Sequence, residues 1–143
     1  MDLSILAPAA VLALWSLIVL LWMVTARLPA MKRAGINLAE PRPGGRRGVD
    51  LEPLLPDSVN WKAHNYAHLH EQPTVFYVVL ILLAISNGAS SLDVQMAWTY
   101  TGMRIAHSLV HATTNFVPIR FLLFFLSTLA LIMLTVRCVL TVI

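Results

Sequence analysis

From Leu3 to Ala26 the chain carries no charge, no amide and no histidine. At a helical rise of about 1.5 Å per residue, that stretch crosses the roughly 30 Å hydrocarbon core of a bilayer. A chain of 143 residues has little else with which to cover such a segment. The remainder is equally poor in polar surface: 58% of residues are hydrophobic and 12% charged, against about 45–50% and about 25% in soluble domains. A water-soluble domain and a disordered chain are both excluded. No basic residue precedes the run, and it exceeds the roughly 7–15 apolar residues of a secretory signal, so it reads as a retained span.

A second long apolar segment, Phe121 to Val136, continues past Arg137 to Ile143. Two further spans are less pure. Pro73 to Ser86 is too short to cross alone, and extending it back to Trp61 takes in several polar side chains; Ser91 to Phe116 has spanning length with Arg104, His107 and His111 inside it. Leaving both out would strand long half-apolar hairpins in water. The expectation is therefore an all-α, integral membrane four-helix bundle, with helices at about 3–27, 59–87, 91–116 and 118–142. Asn87 to Ser90 and Asn115 to Pro118 read as tight turns.

The one long connection, 28–58, holds five prolines and four glycines and is expected to lack regular structure. Its Arg42-Pro43-Gly44-Gly45-Arg46-Arg47 segment lacks the Lys-Ser/Thr ending of a phosphate loop. Arg27, Lys32, Arg33, Arg42, Arg46, Arg47 and Lys62 lie between the first two helices, seven of the chain's ten basic residues. The excess positive charge (net +3) is thus a topology signal and not a nucleic-acid footprint. It places the loop in the cytoplasm and both termini on the opposite side. Arg137 is expected to snorkel to the interface, and the lone Cys138 permits no internal disulfide.

Ionisable groups inside a bilayer cost about 2.5–3.5 kcal/mol each on insertion scales and point to function by default. Trp61, His64, His68, Glu71 and Val75 step by 3, 4, 3 and 4 along one helical seam. Tyr100, Arg104, His107, His111 and Asn115 step by 4, 3, 4 and 4 along another. Glu71 lies ten residues past Trp61 and His107 nine from Phe116, about 15 and 13.5 Å from the same membrane edge. An ion pair between Glu71 and Arg104, within a chain or between copies, is expected. Its role is either a structural clasp or part of a cavity for an anionic or polar ligand. The two His-x-x-x-His pairs raise zinc or iron as a further reading. No His-Glu-x-x-His accompanies them, and no metal ligand is assigned.

Taken together, Asn65-Tyr66-Ala67-His68-Leu69-His70-Glu71-Gln72-Pro73-Thr74-Val75-Phe76-Tyr77 and Arg104-Ile105-Ala106-His107-Ser108-Leu109-Val110-His111, continuing to Asn115 and Arg120, resemble the MAPEG family (membrane-associated proteins in eicosanoid and glutathione metabolism), in its bacterial form. The first segment resembles the family's Asn-x-x-Glu-x-Pro signature and the second its Arg-x-x-His-Ser-x-x-His helix. The resemblance implies a homotrimer in a membrane, the bacterial inner membrane for a member of this type. It implies glutathione as co-substrate, bound between subunits on the cytoplasmic side, and a lipophilic electrophile arriving through the lipid. The activity implied is thiol transfer or peroxide reduction; the alternative is a catalytically silent relative that binds lipid or protein. On this resemblance Arg120 stands near the family's thiol-activating arginine, while His64, His68, Glu71, Arg104, His107 and His111 form the cofactor-binding set. Animal members carry Arg and Asn where His64 and His68 stand, and tyrosines where His107 and His111 stand. Ala67 replaces an arginine common in bacterial relatives, and Arg120 is displaced by about two residues from the family spacing after Arg104.

Overall fold

A computed structural model describes residues 3–41 and 43–143; Arg42, one of the basic loop residues, lies outside them. Among the described residues the chain is helical and has no strand. After a short 3-10 turn, Leu3–Leu6, the helices are α1 (Ala7–Arg33), α2 (Asp57–His68), α3 (Gln72–Ile85), α4 (Ser91–Thr113) and α5 (Val117–Val142). Among the described residues three segments are long and apolar enough to cross a membrane: Leu3–Arg33, Asp57–Ile85 and Val117–Val142. Helix α4 is long enough but too polar to join them, because its polar side chains are turned into the protein.

That inward turn follows from the spacing of its residues. Asp93, Ala97, Tyr100, Arg104, His107 and His111 recur every three or four positions, and all are buried. α4 packs against α1, α2 and most extensively α5. The outside of the molecule is built by α1, α3 and α5, which expose Leu14, Leu17, Leu21, Val78, Ile85, Phe121 and Leu140 among many apolar side chains. Surface of that kind is matched to hydrocarbon. The apolar core joins Ile5, Leu12 and Val19 to Phe76, Leu80 and Leu83 of α3 and to Leu131 and Leu134 of α5.

Three expectations are revised. The first helix does not stop at residue 27: α1 continues through Pro29 to Arg33, since Ala30 and Met31 find burial against Leu51, Leu55 and Val59. The same contacts give the long connection structure of its own, a 3-10 segment from Gly48 to Leu54. Arg27 donates to the Gly48 carbonyl at 2.8 Å and ties this segment to α1. Of the basic residues assigned to the connection, Arg27, Lys32 and Arg33 therefore belong to α1 and Lys62 to α2.

The expected second helix (59–87) is interrupted. α2 ends at His68, and Glu71, with φ −87° and ψ −96°, sits outside helical geometry ahead of α3. Pro73 supplies the cause. It has no N–H to give to the carbonyl one turn back and is tolerated in a helix's first turn.

Candidate functional site

At the break, the His68 carbonyl loses its regular helical donor. Arg104, 1% exposed, donates to it from Nη2 at 3.2 Å. The expected Glu71–Arg104 ion pair is thus replaced by two other contacts. Arg104 anchors the broken helix, and the Glu71 carboxylate folds back three residues onto Nδ1 of His68 at 2.7 Å. With its side chain 65% exposed, Glu71 stays wet while holding the ring.

His68 faces α4 across this break. Its ring centroid lies 5.1 Å from that of His107 and 6.0 Å from that of His111, and the latter two are 5.8 Å apart. Phe124 of α5 stacks on His68 at 5.6 Å with planes 29° apart. The Arg104 guanidinium lies 5.6 Å from the same Phe124 ring and 5.9 Å from Tyr100. Cations over aromatic faces gain about 2 kcal/mol or more when desolvated. Arg104 is accommodated in the protein interior in part through such contacts.

α5 completes the wall. Asn115 takes a left-handed conformation, φ 51°, which asparagine tolerates better than most residues. Asn115 also accepts a hydrogen bond from Arg120 across the resulting turn. Val117, Arg120, Phe121 and Phe124, one face of α5, enclose with His68 and His107 a cavity of about 200 Å³. Val117 and Phe121 are 62% and 67% exposed, so the cavity opens on the outer apolar face of α5.

The residues expected to form one site therefore divide. His68, His107 and Arg120 line the cavity. His111 is buried beside it, Arg104 lies behind His68, and Glu71 reaches the cavity only through His68. His64 does not join them. It pairs with Glu52 of the 3-10 segment at 2.8 Å. Together they border a separate cavity with Met23, Arg27 and Tyr66. One helical turn separates His64 from His68, and the 3-10 segment captures the former. Among the described residues no three His, Cys, Asp or Glu side chains converge to hold a metal ion.

Three features escaped the sequence reading. Val117, Phe121 and Phe124 form the apolar wall; their spacing around Arg120 was a visible signal, submerged in an otherwise uniformly apolar helix. Gln72 links α3 to its neighbours, donating to Thr128 at 2.9 Å and accepting from Tyr100 at 3.3 Å. Asp93 is the third, a buried carboxylate that pairs with the half-exposed Arg137.

Chemically, the cavity offers one cation at its mouth, a second behind it, two imidazoles and an aromatic floor. Such a site favours an anion, a carboxylate or thiolate, beside an apolar reactant. The MAPEG family model matches residues 5–140 of this chain. No curated protein and no solved structure matches it.

Proposed function

The chain belongs to the MAPEG family, and from that premise we propose that it is a glutathione-dependent transferase or peroxidase acting on lipophilic electrophiles. The observation that carries the reading is the shared cavity of Arg120, His68 and His107 against Phe121 and Phe124. An arginine near a thiol stabilises the thiolate. Lowering a thiol pKa by about two units corresponds to about 2.7 kcal/mol. The aromatic wall and the exposed apolar face of α5 give a lipophilic electrophile a route from the bilayer to that sulfur.

The deeper residues fit the rest of such a ligand. Among the described residues, Arg104 Nε and Nη1 and His111 Nδ1 are buried without a hydrogen-bond partner. Buried polar groups of this kind are costly unless paired, and glutathione carries two carboxylates that the arginine N–H groups suit. The cavity is open on the side where α5 is most apolar, which supports a homotrimer in which a neighbouring subunit closes the site. Four spans, α4 among them, would put the basic α1–α2 end in the cytoplasm and both termini outside, in a bacterial inner membrane.

Conjugation of glutathione to a hydrophobic electrophile by the detergent-purified protein tests this reading. Arg120→Ala is expected to slow the reaction about 100-fold, the equivalent of two pKa units. Glutathione at 100 times its Kd should stabilise the native protein by about 2.7 kcal/mol. Absence of both conjugation and thermal shift overturns the proposal. Co-purified lipid would then favour a silent, lipid-binding member.

A further inference from the structure

The helix break has a chemical consequence for His68. Glu71 sits three residues on, and its Oε2 lies 2.7 Å from Nδ1 of the imidazole. An ionised carboxylate can only accept, so Nδ1 carries the ring proton and Nε2 the lone pair. Nε2 has no partner among the described residues, whereas the ring is fixed by stacking on Phe124. His68 lines the same cavity as Arg120. His107 and His111, the other two rings of the cluster, have no acid partner among the described residues. One histidine of three is therefore held in a defined tautomer, with its basic nitrogen free.

We propose that His68 is the general base of this site and that Glu71 is its positioning residue. The inference rests on the thiol-transfer reading above. Nε2 takes the thiol proton, giving a thiolate beside Arg120 and an imidazolium that Glu71 stabilises. The sulfur lone pair then forms a bond to the electrophilic carbon. With an activated aryl chloride, the carbon–chlorine bond breaks, its electron pair leaves with chloride, and the imidazolium releases its proton to solvent. The charged and titratable groups around His68 are Glu71 on its own segment, Arg104, His107 and His111 from α4, and Arg120 from α5. Only Glu71 among them favours the protonated ring, which is why the carboxylate matters.

The test uses the full-length protein in detergent, glutathione and an activated aryl chloride, with kcat/KM measured from pH 5 to 9. In the native protein the profile should carry an ascending limb that belongs to the enzyme and not to free glutathione. His68→Gln should lose about 100-fold at pH 7, and its rate should keep rising with the thiol's own ionisation. Added imidazole should restore part of the loss, and the glutathione-induced thermal shift should persist. Glu71→Gln, a change at an exposed side chain that leaves the fold intact, should lose about tenfold with the same binding. A His68→Gln protein with native rate and pH profile overturns the base assignment while leaving thiol transfer standing. So does loss of the thermal shift in that variant, since His68 would then be a binding residue. A native protein with neither conjugation nor thermal shift overturns both proposals.

Discussion

Arg137 of α5 grips the carboxylate of Asp93 in the first turn of α4 through two nitrogens, each 3.0 Å from its oxygen. Asp93 is 1% exposed and also caps α4: it accepts from the Ser90 N–H at 2.8 Å while its own N–H donates to Ser90 Oγ. One carboxylate thus ends the 87–90 turn, starts a helix and ties the two most extensively packed helices together. Removing only the cation strands a buried carboxylate, whereas removing both charges does not. Arg137→Leu is therefore expected to lower Tm more than the double variant Arg137→Leu/Asp93→Asn, read by thermal unfolding in detergent. A double variant less stable than the single one would show that the carboxylate acts mainly as a cap.

The same turn makes a second contact with the end of α5. A Cβ built on Gly88 would lie 2.0 Å from Cγ2 of Thr141 and 3.3 Å from its Cβ. Because threonine is β-branched, the methyl has few places to go. Gly88→Ala is expected to destabilise by about 1–3 kcal/mol, the usual range for overpacking. Thr141→Ser removes the obstructing methyl and keeps the hydroxyl that bonds the Arg137 carbonyl. In the Gly88→Ala background it should recover most of the loss in Tm.

What the sequence disclosed, and what it withheld, follows from the range of the interactions. The stripe on α4 was legible because burial imposes a helical period on it, and Arg104, His107 and His111 are all found on that inner face. The wall opposite was not, because α5 is apolar on every side and periodicity cannot separate a cavity face from a lipid face. Spacing puts Glu71 and His107 at similar depths with Arg104 one turn further in, but depth does not fix direction. Three residues of non-helical chain between α2 and α3 redirect the carboxylate to His68 and give Arg104 a carbonyl instead. Asp93 and Arg137 lie 44 residues apart. Alone, one reads as a helix cap and the other as an interfacial cation; only the packing of α4 on α5 makes them a pair.

Ser108 is a polar meeting point of α1, α2 and α4. Fully buried, its hydroxyl accepts from Trp15 Nε1 of α1 at 2.9 Å and from Asn65 Nδ2 of α2 at 2.8 Å. Three helices meet at one oxygen. Ser108→Ala leaves two donors facing a methyl group, at about 1–3 kcal/mol for each buried group left unpaired. A lowered Tm is expected, with a change in tryptophan emission as the Trp15 indole loses its acceptor. Asn65→Leu combined with Ser108→Ala removes one of those stranded donors and should cost less than the two single losses added together.

Arg104 provides the sharpest structural test, because among the described residues its one hydrogen bond goes to the His68 carbonyl at the helix break. Hydrogen bonds to charged groups contribute about 1.5–3 kcal/mol. Arg104→Leu keeps the apolar stem against Tyr100 and Phe124 but leaves that carbonyl only the long 3.5 Å bond from the Glu71 N–H. The effect should be local: amide exchange across residues 69–74 is expected to quicken by about 10- to 100-fold, the equivalent of that energy at about 1.4 kcal/mol per decade. Exchange in the body of α5 should hardly change. Arg104→Lys keeps the charge on a shorter reach of donors and should fall between the two. If segment 69–74 exchanges at the native rate in Arg104→Leu, the break is held by Pro73 alone and the arginine is free for another partner.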